Sequence, residues 1–200
     1  MDQRDLVFHG LAIKRHAPAD AIAGLMAMDA AQTKAALDNA VATSRAIEAK
    51  GGYALTPLAR VALEARYRRH FADLRGNAAF VSAYDAFERV NKTLKQVITD
   101  WQTLDIGGEK VANDHSDKGH DDVVIDRLGQ VHEIVEPLLA RMASHLPRLA
   151  VYSEKLLAAL EFAEDGDVEW VSDIRRESYH TVWFELHEDL LRIMGQVREE

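Results

Sequence analysis

Residues 44–60, SRAIEAKGGYALTPLAR, limit the possible folds more than any other stretch of the chain. Arg45 to Ala49 alternates like a short strand, Gly51-Gly52 supplies a tight turn that needs positive φ, and Tyr53 to Leu55 returns as a second strand. Thr56 then caps a helix whose first position is Pro57, where a missing N–H costs nothing. A hairpin this small is not stable alone in water, so it has to lie on helices.

Those helices lie just upstream. Leu6, Val7, Leu11 and Ile13 predict a first helix over residues 5–16, ended by Ala17-Pro18. Pro18 opens a second, with Ile22, Leu25 and Met26 on one face. Asp29 caps a third that runs to about Thr43, and Gln32 stands in the position of a capping-box partner. The spacing turns Leu37 and Val41 inward and leaves Gln32, Thr33, Lys34, Asp38 and Asn39 largely outward. Ala30, Ala31 and Ala35 keep that face low, which suits close approach to a major groove.

The run Tyr53-x-Leu55-Thr56-x-x-x-Arg60 is similar to the Y-x-L-T-x-x-G-R that ends the wing in MarR-type winged-helix regulators. Residues 5–60 resemble the DNA-binding domain of that family. Ala59 stands where the family usually carries glycine, and the wing is shorter than most. The resemblance implies a recognition helix from Asp29 to Thr43 and a wing tip at Lys50-Gly51. It also implies that Gln32, Thr33, Lys34 and Lys50 contact double-stranded DNA. Winged helices also serve as protein-interaction modules, so fold alone does not fix the partner.

Charge is distributed in keeping with this. The net charge is −9, yet residues 1–75 carry 11 Lys/Arg against 8 Asp/Glu, while residues 76–200 carry 13 against 25. A mildly basic front and an acidic back fit a chain whose N-terminal part approaches a polyanion. There are no cysteines, hence no disulfides or thiolate metal sites, and a cytoplasmic protein is expected. No apolar run has membrane length.

From Pro57 an apolar-periodic helix (Leu58, Val61, Leu63, Tyr67, Phe71, Leu74) is predicted to reach Gly76, where a domain boundary is placed. Arg60, Arg66, Arg68, Arg69 and Arg75 make it a cationic edge, either a binding surface or a solvated face. Residues 80–104 read as one long helix with a stripe of Phe80, Tyr84, Phe87, Val90, Leu94, Val97 and Trp101. That stripe needs a partner surface, within the chain or on a second copy.

Residues 105–121 read as a polar loop. It holds Asp114, His115, Asp117, His120 and Asp121, but no spacing matches a known zinc or calcium loop, and no metal is assigned. Residues 123–145 are helical with Pro137 placed to kink or split them, and Pro147 begins a further helix to Phe162. A last helix is predicted over residues 173–194. On it His180, Trp183, Phe184 and His187 share a stripe, with Arg175 and Arg176 near its start. With Trp101 these residues are the candidate ligand pocket, for a small organic-acid or aromatic effector. The other reading of the same stripe is a packed core.

No nucleophile elbow, P-loop, dinucleotide-binding glycine pattern or paired-carboxylate site occurs, so no catalytic residue or cofactor is assigned. The sequence therefore predicts a mainly α protein. Residues 1–76 form a winged helix-turn-helix domain, and residues 77–200 an all-helical bundle for dimerisation and effector binding. The expected whole is a homodimeric DNA-binding regulator. The rivals are a winged-helix accessory subunit of an enzyme and a helical ligand-binding protein with no DNA role.

Overall fold

The computed structural model describes residues 1–197. Among them the chain is mainly helical, with ten α-helices and two antiparallel two-stranded hairpins. It divides into two groups, Met1–Asn77 joined by the segment from Glu185 onward, and Ala78–Phe184. The expected division into 1–76 and 77–200 thus differs at the end of the chain, which clusters with the N-terminal group.

In the first group, α1 (Gln3–Lys14) buries every residue from Val7 to Ile13, which makes it a central helix rather than an amphipathic one. α2 (Ala19–Met26) follows Pro18 and turns through Ala27 in the left-handed region. Asp29 caps α3 (Ala30–Ala42) by accepting from the Gln32 amide at 2.8 Å. The reciprocal half of the capping box does not form, since the Gln32 side-chain Oε1 accepts from the Gln3 side chain instead.

Strands β1 (Ala46–Ala49) and β2 (Gly52–Leu55) pair in the register Ala49↔Gly52. That register shifts the turn by one residue from expectation. The two turn positions are Lys50 (φ 49°) and Gly51 (φ 75°), not Gly51-Gly52. Two consecutive left-handed residues match the twist of a two-residue hairpin. The second edge of β2 bridges Ala17, between α1 and α2, through a Tyr53 amide bond of 2.8 Å. Thr56 caps α4 (Pro57–His70), with Pro57 at its first position.

α4 buries Ala59, Leu63 and Tyr67, an i, i+4, i+8 stripe. Leu58 (80% exposed) and Val61 (63%), expected inward, fall on the opposite face. The helix also stops at Phe71, whose φ of −110° breaks it before the short α5 (Ala72–Gly76).

In the second group, α6 (Ala78–Gln102) and α7 (Lys118–His145) are the principal packing pair. Every residue of the expected α6 stripe is buried within the single chain. No second copy is needed to cover it. α7 spans 28 residues, and Pro137 does not split it.

Of the stretch expected as a polar loop, only residues 113–117 lie outside a strand, turn or helix. Its first half is a hairpin, β3 (Thr103–Ile106) and β4 (Glu109–Ala112), turned at Gly107-Gly108 with both φ values positive. Its remainder is pinned. His115 lies on the Trp101 ring at 4.4 Å, and the Asn113 side chain donates to the Trp101 carbonyl (3.0 Å) and to Asp121 (2.9 Å).

After the short turn Pro147–Leu149, α8 (Ala150–Glu164) ends at Gly166 in the left-handed region, and α9 (Glu169–Ser172) follows. The last helix, α10 (Tyr179–Met194), starts six residues later than expected, leaving Arg175 and Arg176 in the turn before it.

His132 of α7 makes the stability of this group depend on pH. Its Nδ1 lies 3.3 Å from the Tyr179 hydroxyl, and burial pushes its pKa below the usual 6.5 despite the raising influence of Glu136 and Glu164. The unfolded chain then binds the proton more readily, so stability falls as pH drops through about 6.5 toward the folded value. Melting curves should show the wild type losing more stability than His132→Gln between about pH 7.5 and 5.5. Equal losses would mean that His132 carries none of the acid sensitivity.

Candidate functional site

The outer face of α3 begins as the sequence predicts and departs at one residue. Gln32 and Lys34 are exposed, as are Ala31, Ala35, Asp38 and Asn39. Thr33 is fully buried, in line with Leu37 and Ala40 on the inward stripe, and its hydroxyl donates to the Asp29 carbonyl at 2.8 Å. It cannot contact DNA from there. The reason is periodic: Thr33 and Leu37 are one turn apart, so the helix that buries one buries the other.

Lys34 is held by Asp38 at 2.8 Å, and Asp38 also accepts from the Tyr53 hydroxyl at 2.9 Å. Lys34 first and Tyr53 second lower the Asp38 pKa, so the carboxylate stays ionised. The Tyr53 bond ties α3 to β2, whereas the Lys34 bond lies within α3. Lys50 stands exposed at the hairpin turn.

The seven residues expected to form an effector pocket do not assemble into one. Trp183 stacks on Phe87 at 4.9 Å and donates to the Asn91 side chain at 2.9 Å. Phe87 and Trp101 are 14 positions apart on α6, roughly 21 Å of helix, so the two tryptophans do not converge. Arg175 chelates Asp173 (2.7 Å), holding that carboxyl at a pKa of about 2, and Arg176 pairs with Asp167 and Glu169. Both arginines thus hold local turns. His180 and Phe184 are half-buried in the helical group, whereas His187 is buried and clusters with the N-terminal group.

A constellation without a signature along the sequence lies inside the N-terminal group. His9 on α1 is completely buried, with Nε2 2.8 Å from an equally buried Asp189 carboxylate and Nδ1 2.8 Å from the Tyr67 hydroxyl. A neutral imidazole satisfies both: Nε2–H donates to Asp189, and Nδ1 accepts the phenolic O–H. Burial raises the Tyr67 pKa, so the phenol keeps its proton. Beside it, buried Asp5 pairs with Arg66 (2.9 Å) and His70 (2.9 Å).

Tyr67 also lines a cavity of about 680 Å³, together with Arg15, Arg68, Arg75 and Arg192 and the acids Glu64 and Glu188. Arg75 builds one wall by closing the end of α10. Its Nε donates to the Ile193 carbonyl (2.5 Å) and a terminal nitrogen to the Arg192 carbonyl (3.1 Å). Gly195, at φ 73°, permits this: a Cβ there would lie 2.9 Å from the guanidinium carbon. Arg68 and Arg75 belong to the cationic edge visible in the sequence. Arg15 and Arg192, at the end of α1 and on α10, have no sequence signal that would bring them there.

No protein-family model, curated protein or solved structure matches this chain. Among the described residues, no helix is long and apolar enough to cross a membrane, and no group of three His, Asp or Glu is arranged to hold a metal ion.

Proposed function

We propose that the chain is a DNA-binding transcriptional regulator whose α1–α3, hairpin and α4 act as a winged helix-turn-helix. The observation that carries this reading is the low, polar outer face of α3, capped by Asp29 and adjoining the Lys50 hairpin. α3 would enter the major groove with Gln32 and Lys34 toward base edges and phosphates, and Lys50 would reach the flanking backbone. Thr33 has no part in it. Lys34 exchanges Asp38 for a phosphate on binding, a contact that adds about one to the salt slope. A homodimer belongs to the proposal because two half-sites one helical turn apart call for two copies.

Ile47, Leu58 and Val61 are more than half exposed and favour a second reading, in which the same module docks on a protein. The discriminating experiment is a gel shift on the promoter region of the protein's own gene at two salt concentrations. Lys34→Glu should weaken binding by about tenfold or more while leaving the melting temperature nearly unchanged, since the position is exposed. Undiminished affinity in that variant would remove α3 from the interface and leave the protein-docking reading.

A further inference from the structure

The structure assigns the cavity beside Tyr67 as a binding site for a small organic polyanion, a phosphate ester or polycarboxylate. This site is separate from the α3 face and does not depend on DNA binding.

Charge is the first reason. Among the described residues, four guanidinium groups and two carboxylates line the cavity, an excess of two positive charges. Arg192 meets Glu188 at 2.7 Å and Glu64 at 3.6 Å. Arg75 turns its Nε and one terminal nitrogen to neutral carbonyls. Among the described residues no carboxylate lies within ion-pair distance of Arg68 or Arg75. Like charges facing a common space without a counterion are a standing cost that an anion removes. The Arg75 pKa is lowered accordingly, by burial first and by the Arg68 charge second. Arginine forks also match phosphate and carboxylate oxygens two at a time.

Shape is the second reason. A concavity of about 680 Å³ lies in the range of small-molecule sites, and a duplex backbone does not enter such a hollow. Rigidity is the third. The Asp189–His9–Tyr67 chain fixes one wall from behind, and the Arg75–Gly195 closure fixes another. A site held this way loses little entropy on binding. Arg192 further presents a buried Nε–H that has no hydrogen-bond partner.

Calorimetric titration of the full chain with pyrophosphate and with citrate, at about 0.15 M salt, tests the assignment. One saturable site with a dissociation constant below about 1 mM is expected for at least one of them, and which one binds tells phosphate esters from carboxylates. Arg68→Ala should weaken it by about tenfold or more. Arg69→Ala, an exposed neighbour outside the cavity, should not, nor should Lys34→Glu. Absence of saturation by either anion, or equal weakening by the Arg68 and Arg69 variants, would overturn the site.

Discussion

Asp189→Ala should lower the stability of the N-terminal group by about 1.5–3 kcal/mol, the range for losing a buried hydrogen bond to a charged group. Asp189 and His9 are both completely excluded from solvent. Without the carboxylate, the His9 Nε2–H loses its acceptor and a void opens beside α10. For a chain of this size the loss corresponds to a melting shift of roughly 3–12 °C. A second variant separates pairing from packing. Asp189→Leu combined with His9→Phe and Tyr67→Phe replaces all three members of the chain by apolar groups and should recover much of the loss, because no donor of the chain is left unsatisfied. If the single variant melts within a degree or two of wild type, the buried chain holds nothing together, and the rigid wall inferred for the anion cavity goes with it.

Trp183→Ala is the second large effect, expected to cost about 3–5 kcal/mol in the helical group. Trp183 is 2% exposed, stacked on Phe87 and 6.0 Å from the Tyr179 ring. Truncation removes this aromatic contact and also strands the Asn91 carbonyl, which accepts the indole N–H. Trp183→Phe keeps most of the stack and loses only that bond, so its cost should be smaller, about 1–3 kcal/mol. Near-ultraviolet circular dichroism and denaturant midpoints measure both. Equal losses for the two variants would show that the hydrogen bond stabilises the group more than the stack does. A negligible loss for alanine would contradict the stacking of Trp183 on Phe87.

Local chemistry carries much of the fold. The Asp29 and Thr56 caps, the Pro57 start, the first hairpin and the long stripe of α6 each depend on residues within a few positions of one another, so they are legible along the chain. The Gly107-Gly108 hairpin is equally local. Its paired glycines are a turn signal in the sequence, masked there by the polar residues that follow and make the whole run resemble a loop.

Other features are set elsewhere in the chain. Periodicity gives the spacing of a stripe but not which azimuth a neighbour covers. Thr33 goes inward and Leu58 outward although both obey helical spacing. The seven candidate ligand residues share a sequence pattern, yet 14 positions of rigid α6 separate the surroundings of the two tryptophans. His9 and Asp189 stand 180 residues apart, and nothing near either one names the other. The sequence by itself determined a mainly helical chain, its caps and its first hairpin, since those follow from bonds closed within a turn or two. The buried His9 chain and the arginine cavity were decided only in three dimensions, because their energies arise when α1, α4 and α10 exclude water between side chains distant in sequence.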